Sequence, residues 1–167
     1  MRPGKIDKIR VRWSLHFPLP GYFAVTLFGR MWIRVSKKVK WDYYKRTGKA
    51  DIMLNHEMIH VKQAISTGDS WCGFYARYLL EWLKANPFLN GFSFAHHMNP
   101  FEIEAYANEG DMTYNTVNYD GAEQWKELSK ISIGDRKRLW RLYRSKKNIS
   151  FSAFVKTYVL PELVKID

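Results

Sequence analysis

The chain has 167 residues, 46% of them hydrophobic and 16% aromatic, so it can bury a core and is too apolar for a disordered chain. Its 27 lysines and arginines against 16 aspartates and glutamates give a formal net charge of +11. A single cysteine, Cys72, excludes an internal disulfide, and no stretch of roughly 18 residues is apolar enough to span a bilayer. We expect one domain, residues 1–167, in a cytoplasmic protein, because no apolar signal-peptide run follows the first basic residues.

Three segments near the start of the chain are strand candidates, and the first and third of them alternate apolar and polar residues, a pattern typical of half-exposed β-strands. They are residues 8–15, Tyr22 to Phe28 and Arg30 to Val35. A segment rich in proline, residues 17–21, breaks the first strand, and Gly29 supplies a bulge or tight turn after the second. The pattern predicts a small antiparallel sheet, followed by a short helix from Trp41 to Arg46 and a mainly helical remainder.

The next long helix carries the most informative motif of the chain. Residues 50–66 contain neither glycine nor proline, and Thr67-Gly68 supplies a helix stop. Within this helix, His56, Glu57 and His60 form the pattern His-Glu-x-x-His. The two imidazoles would project from one helix face and can share a zinc ion, while Glu57 is placed to take a proton from metal-bound water. The competing interpretation is a helix that carries two histidines by chance.

A catalytic zinc site needs a third protein ligand and one open position. The metzincin arrangement would have a glycine and a histidine where this chain has Gln63 and Ser66, so the third ligand must come from downstream. Asn99-Pro100 predicts a helix start, with asparagine as the cap and proline at the first position. The candidate ligands are the carboxylates of that helix and the two histidines just before it: Glu102, Glu104, His96 and His97.

The other helices are predicted from apolar spacing and from caps. Residues 71–83 carry a wide aromatic and aliphatic stripe, which predicts a core helix or, alternatively, a surface for a membrane or a partner helix. Residues 88–98 are predicted as a loop. Asp120 and Glu123 predict a capping box for a helix that runs through Lys130.

The last part of the chain predicts two more helices. Residues 134–147 form a strongly basic helix, whose charges we expect to be mainly solvated. Ser150 is expected to cap a final helix with an apolar face.

A His-Glu-x-x-His helix followed by a helix with Glu-x-x-Ala in its first turns resembles the zincin metallopeptidases of the gluzincin type. The resemblance covers residues 51–63 and 99–109. It implies an α+β, zincin-like fold with the His-Glu-x-x-His helix at the centre of the helical body. It also implies one zinc ion per chain, bound by His56, His60 and Glu102, with Glu104 as the weaker candidate for the third ligand.

The same resemblance implies further roles. Tyr106 occupies the position from which an acid or an amide supports a zinc-bound histidine in that family. Tyr106, His96 or His97 would stabilise the oxyanion that develops on the substrate carbonyl. The strand from Arg30 to Val35 would lie beside an extended peptide substrate, although a purely structural role explains any one strand equally well.

The sequence therefore favours a zinc-dependent metallopeptidase that acts on a peptide or protein, with Glu57 as the base. Two other classes remain as alternatives. The same site could hydrolyse another amide or hold zinc structurally. The charge of +11 could instead serve to bind nucleic acid or an anionic membrane. Against nucleic acid, the basic residues are spread over several elements and no zinc-finger pattern is present.

Overall fold

The computed structural model describes residues 2–18 and 23–164, which form an α+β fold with a small sheet and a mostly helical body. The strands are β1 (Arg10–Ser14), β2 (Ala24–Leu27) and β3 (Arg30–Arg34). The helices are α1 (Lys38–Arg46), α2 (Lys49–Ser66), α3 (Trp71–Lys84), α4 (Pro87–Asn90), α5 (Phe92–His97), α6 (Pro100–Asn108), α7 (Tyr114–Val117), α8 (Gln124–Leu128), α9 (Ile133–Ser145), α10 (Phe151–Phe154) and α11 (Leu160–Leu163). Short 3₁₀ segments cover Pro3–Lys5 and Val35–Lys37, and a π-helical turn, Val155–Val159, joins α10 to α11. No described helix is long and apolar enough to cross a membrane.

The sheet is mixed, so the prediction of an antiparallel sheet is correct for the pair β2–β3 and wrong for the pair β1–β3. The strand order is β1-β3-β2, with β1 parallel to β3 and β2 antiparallel to β3. The strand expected beside a substrate, β3, is therefore the central strand, and its Met31 and Ile33 side chains are fully buried. Its hydrogen-bonding edges are both occupied, which leaves β1 and β2 as the edge strands among the described residues. The expected break at residues 17–21 lies largely outside the described residues, and the expected strand start at Tyr22 lies wholly outside them.

The turn between β2 and β3 anchors the hairpin to helix α3. Phe28 and Gly29 both have positive φ, 53° and 71°, as a two-residue turn of the type I′ kind requires. A Cβ on Gly29 would come within 2.6 Å of the Ile6 Cδ1 methyl, so a larger residue would have to displace that side chain as well as adopt the positive φ. The Phe28 N–H donates to the Tyr75 hydroxyl at 3.1 Å, and the Phe28 ring packs edge-on against Trp71 and Tyr75. These contacts hold a bulky residue in a backbone conformation that disfavours it.

Helices α2 and α6 pack against each other at the centre of the fold. Helix α6 begins at a cap in which the Phe101 N–H donates to Asn99 Oδ1, as predicted. All of its residues from Pro100 to Ala105 are buried, so it is enclosed on nearly every side. Helix α2 meets it with the buried residues Ala64, which packs with Phe101, and Gln63, whose amide donates to the Phe101 carbonyl. The two segments that carry the motif residues therefore meet in the interior.

Two predictions about loops and caps are wrong for identifiable reasons. Residues 88–98 form most of α4 and all of α5 rather than a loop, because Asn86 and Pro87 end α3 and also begin α4, with Asn86 as its cap. The capping box at Asp120 and Glu123 does not form. Glu104 from helix α6 instead accepts the first two N–H groups of α8, those of Gln124 and Trp125.

We expected the charges of the basic helix α9 to be mainly solvated, and Arg136 is an exception. Arg136 is 1% exposed, and its guanidinium donates to the Glu81 carboxylate of α3 at 3.0 Å. The same guanidinium donates to the backbone carbonyls of Leu128 and Ser129. Arg136 is thus a core residue that ties α9 to α3, whereas Arg141 on the same helix is exposed.

Arg136→Gln should lower the free energy of unfolding by about 3 kcal/mol, because it leaves Glu81 buried without its guanidinium partner. Arg141→Gln should change it by less than about 0.5 kcal/mol, since the side chain is exposed. Urea unfolding followed by circular dichroism gives both values. Equal effects from the two substitutions would contradict the core role of Arg136.

Candidate metal centre

Two helices bring the predicted ligand triad together. His56 and His60 lie on α2, four residues apart, and Glu102 lies in the first turn of α6. One ligand atom from each of the three side chains lies within 4.8 Å of the others. His56 Nε2 is 3.4 Å from one Glu102 oxygen, and His60 Nε2 is 3.6 Å from the other.

These separations suit a single small cation. Zinc binds histidine nitrogen and carboxylate oxygen at about 2.0–2.1 Å, so the ligand atoms of a tetrahedral site stand about 3.3–3.4 Å apart. The observed distances of 3.4 and 3.6 Å, which lead to different oxygens of the same carboxylate, are close to that value. Two imidazoles and one carboxylate are also a donor set of catalytic zinc sites. The residues present therefore fit a zinc ion.

The outer nitrogens of both histidines are fixed by oxygen acceptors. His56 Nδ1 donates to Glu109 at 2.9 Å, and His60 Nδ1 donates to Gln63 Oε1 at 2.7 Å. With Nδ1 engaged in this way, Nε2 of each imidazole is the atom that faces Glu102, and loss of its proton would leave a lone pair in the orientation that a metal ligand needs. The Gln63 amide is itself held, because its Nε2 donates to the Phe101 carbonyl and to Glu104.

Neither Glu109 nor Gln63 was assigned a supporting role from the sequence. Glu109 lies two helical turns beyond Glu102, and Asn55 of α2 holds its backbone carbonyl with a hydrogen bond of 2.8 Å. Tyr106, which occupies the support position by resemblance, instead packs its ring against the His56 ring at 4.7 Å. The sequence did contain a signal for this role. Glu109 lies seven residues after Glu102, and that spacing is close to two helical turns, so both carboxylates face the same side.

The surroundings of the triad favour the charged forms of both the histidines and Glu102. Burial lowers the pKa of His56, but hydrogen bonds with Glu102 and Glu109 outweigh it and raise that pKa to about 10. Burial disfavours the charged form of Glu102, yet His96, His60 and His56 hold its pKa well below the usual range. A buried anion that draws imidazoles toward their charged forms is an environment in which a divalent cation would be stabilised.

The alternative carboxylate, Glu104, is engaged elsewhere. It is fully buried and accepts hydrogen bonds from the Tyr114 hydroxyl, the Gln63 amide and the N–H groups of Gln124 and Trp125. Burial raises the pKa of Glu104, and these donors oppose that rise. Of the two carboxylates, Glu102 is the one beside the histidines.

A cleft of about 390 Å³ opens beside the triad. His56, His60 and Glu102 contribute to its lining, and so does Glu57. No hydrogen bond or ion pair joins the Glu57 carboxylate to another residue within the described ranges, 2–18 and 23–164. The edge strand β2 and an aromatic cluster form other parts of the lining: Ala24, Val25, Thr26, Phe28, Trp71 and Tyr75.

His96, rather than His97, lies in the cleft wall. His96 Nδ1 is 3.4 Å from a Glu102 oxygen and 3.0 Å from the Tyr78 hydroxyl, which donates to Glu102 at 2.7 Å. His97 donates its Nδ1–H to the Ser93 carbonyl at 2.8 Å, and its ring stacks on Tyr106 outside the cleft lining. Tyr78 was missed because the apolar stripe of α3 explained it as a packing residue.

No protein-family model, curated protein or solved structure matches this chain. The case for a function therefore depends on the geometry of the site.

Glu102→Gln should weaken zinc binding by about 100-fold or more, because loss of a direct ligand should at least equal the largest effects of outer-shell substitutions. Glu104→Gln is the matched control. This substitution should lower the melting temperature, because the amide NH₂ group of the glutamine would face a donor that now bonds to a Glu104 oxygen. It should weaken zinc binding by less than about tenfold. Competition with a chelating dye measures both affinities. A larger loss in Glu104→Gln would assign the ligand to the other carboxylate.

Proposed function

We propose that this protein is a zinc-dependent metallopeptidase of the zincin-like kind. The observation that carries the proposal is the convergence of two imidazoles and one buried carboxylate beside an open cleft. Structural zinc sites have four protein ligands, whereas three converge here among the described residues. That difference favours a site that leaves one position for a reactant.

His56, His60 and Glu102 would hold the metal, and Glu109 and Gln63 would orient the two imidazoles through their Nδ1–H groups. Bound zinc supplies a Lewis acid and lowers the pKa of a coordinated water. The buried hydrogen bonds around the triad limit its freedom to rearrange, which preserves the orientation of the ligands.

Glu57 would act as the proton carrier. It follows His56 directly on α2, contributes to the cleft lining and has no described hydrogen-bonding partner to occupy its oxygens. In hydrolysis of a peptide its carboxylate would accept a proton from the attacking water and then deliver that proton to the leaving amine. Asparagine or glutamine at this position could not accept the proton.

The cleft lining supports a peptide as the substrate. Strand β2 is an edge strand, so an extended chain could pair with its exposed backbone groups. The aromatic cluster of Phe28, Trp71 and Tyr75 would accept a large apolar side chain of that peptide. Tyr106 and His96 also line the cleft and are the candidate donors to the oxyanion, whereas the Tyr78 hydroxyl already donates to Glu102.

The decisive comparison is between wild type and Glu57→Gln on a mixed peptide library, read by mass spectrometry at equal zinc occupancy. Glu57→Gln should keep zinc and the fold, because the ligands are unchanged, and should lose roughly 10²–10⁴ in rate. Asp51→Asn, an exposed carboxylate on the same helix, is the control and should cut at the wild-type rate.

Cleavage by Glu57→Gln at the wild-type rate would contradict the role of Glu57. A zinc-loaded wild type that leaves every library peptide intact would contradict the proposal of a general peptidase.

A further inference from the structure

Six large apolar side chains lie exposed on the corner formed by α3, α4 and α5. Those on α3 are Leu79, Leu80 and Leu83, each about half exposed. Phe88 and Leu89 on α4 are 77% and 82% exposed, and Phe92 at the start of α5 is 59% exposed. We call these six residues the apolar ridge.

Aromatic contacts join Phe88 and Phe92 of the ridge to each other and to Trp82 of α3. The Trp82 ring lies 6.4 Å from Phe88 and 5.6 Å from Phe92, and these two phenylalanines are 5.7 Å apart. On α3, residues 79, 80 and 83 fall within about 100° of one another around the helix axis. Contiguous apolar surface of this kind marks a site of interaction, unlike apolar residues that are exposed singly.

A basic face lies on helix α9, which packs against α5. Lys137, Arg141 and Arg144 follow at helical spacing on α9 and therefore share one side of that helix. Trp140 of the same helix contacts α5 through Phe94 and His97, with ring centroids 6.3 and 5.3 Å apart. These contacts place α9 against the buried side of α5, the helix whose first residue is Phe92.

These three cations are available for an external partner. None of them forms an ion pair with an acid among residues 2–18 and 23–164, whereas Arg136 and Arg138 of the same helix are paired with Glu81 and Glu162. A partner that is both apolar and negatively charged would satisfy the ridge and the basic face together.

We propose that the apolar ridge and the basic face of α9 dock the protein on the surface of an anionic lipid bilayer. Phe88 and Leu89, the most exposed residues of the ridge, project from a four-residue helix at a corner rather than line a groove. Projecting side chains of this kind suit a fluid apolar phase, with the cations meeting the lipid headgroups. A second copy of the chain is the poorer occupant, since it would bring another net charge of +11.

The test is flotation of the full chain with vesicles of phosphatidylcholine, with and without phosphatidylserine. Wild type should bind only the vesicles that contain phosphatidylserine, and salt should weaken that binding. Phe88→Ser with Leu89→Ser should weaken it at least about 100-fold, about tenfold for each apolar side chain lost. Replacing Lys137, Arg141 and Arg144 by Gln should weaken it by about fivefold for each cation.

Two controls match these variants in chemistry but lie elsewhere. Val39→Ser with Val117→Ser removes two exposed apolar side chains, and replacing Lys8, Arg10 and Arg12 by Gln removes three exposed cations. Both controls should bind like wild type. Failure of wild type to float with the phosphatidylserine vesicles would overturn the proposal, as would equal losses in the controls. A dimer in sedimentation that Phe88→Ser abolishes would assign the ridge to self-association instead.

Discussion

Burial of helix α6 places two carboxylates, Glu102 and Glu104, in the interior of the protein. A buried carboxylate is costly unless charged or hydrogen-bonding groups surround it, so the neighbouring elements must supply such groups. The two side chains receive different surroundings. Glu102 faces the imidazoles of α2, while Glu104 accepts four hydrogen bonds from neutral donors. The first environment would be completed by a cation, and the second is already complete.

The two carboxylates are linked through Gln63. Its amide oxygen accepts the His60 Nδ1–H, and its amide nitrogen donates to Glu104. Glu104 in turn holds the start of α8 and the hydroxyl of Tyr114. The orientation of one proposed ligand therefore depends on the packing of α6, α7 and α8, which explains how a small domain can hold a polar cluster rigidly in its core.

The sequence was most informative where the signal was local. The spacing of His56 and His60, and the cap at Asn99, depend on residues a few positions apart, and the structure agrees with the helices that they predicted. Contacts between distant segments were not predictable in the same way. Alternation of apolar residues does not encode strand order, so β3 could not be recognised as the central strand. Arg136 looked like one more solvated cation because its partner, Glu81, is 55 residues away. The support of His56 by Glu109 likewise depends on how α2 crosses α6.

The central claim is that His56, His60 and Glu102 bind one zinc ion. X-ray absorption at the zinc edge, on protein loaded with one equivalent of the metal, tests it most directly. We expect nitrogen and oxygen ligands at about 2.0–2.1 Å, with the outer-shell scattering of two imidazoles that falls to one in His56→Ala. A sulfur ligand at about 2.3 Å, which would implicate the exposed Cys72, or a zinc ion with no imidazole scattering would contradict the claim.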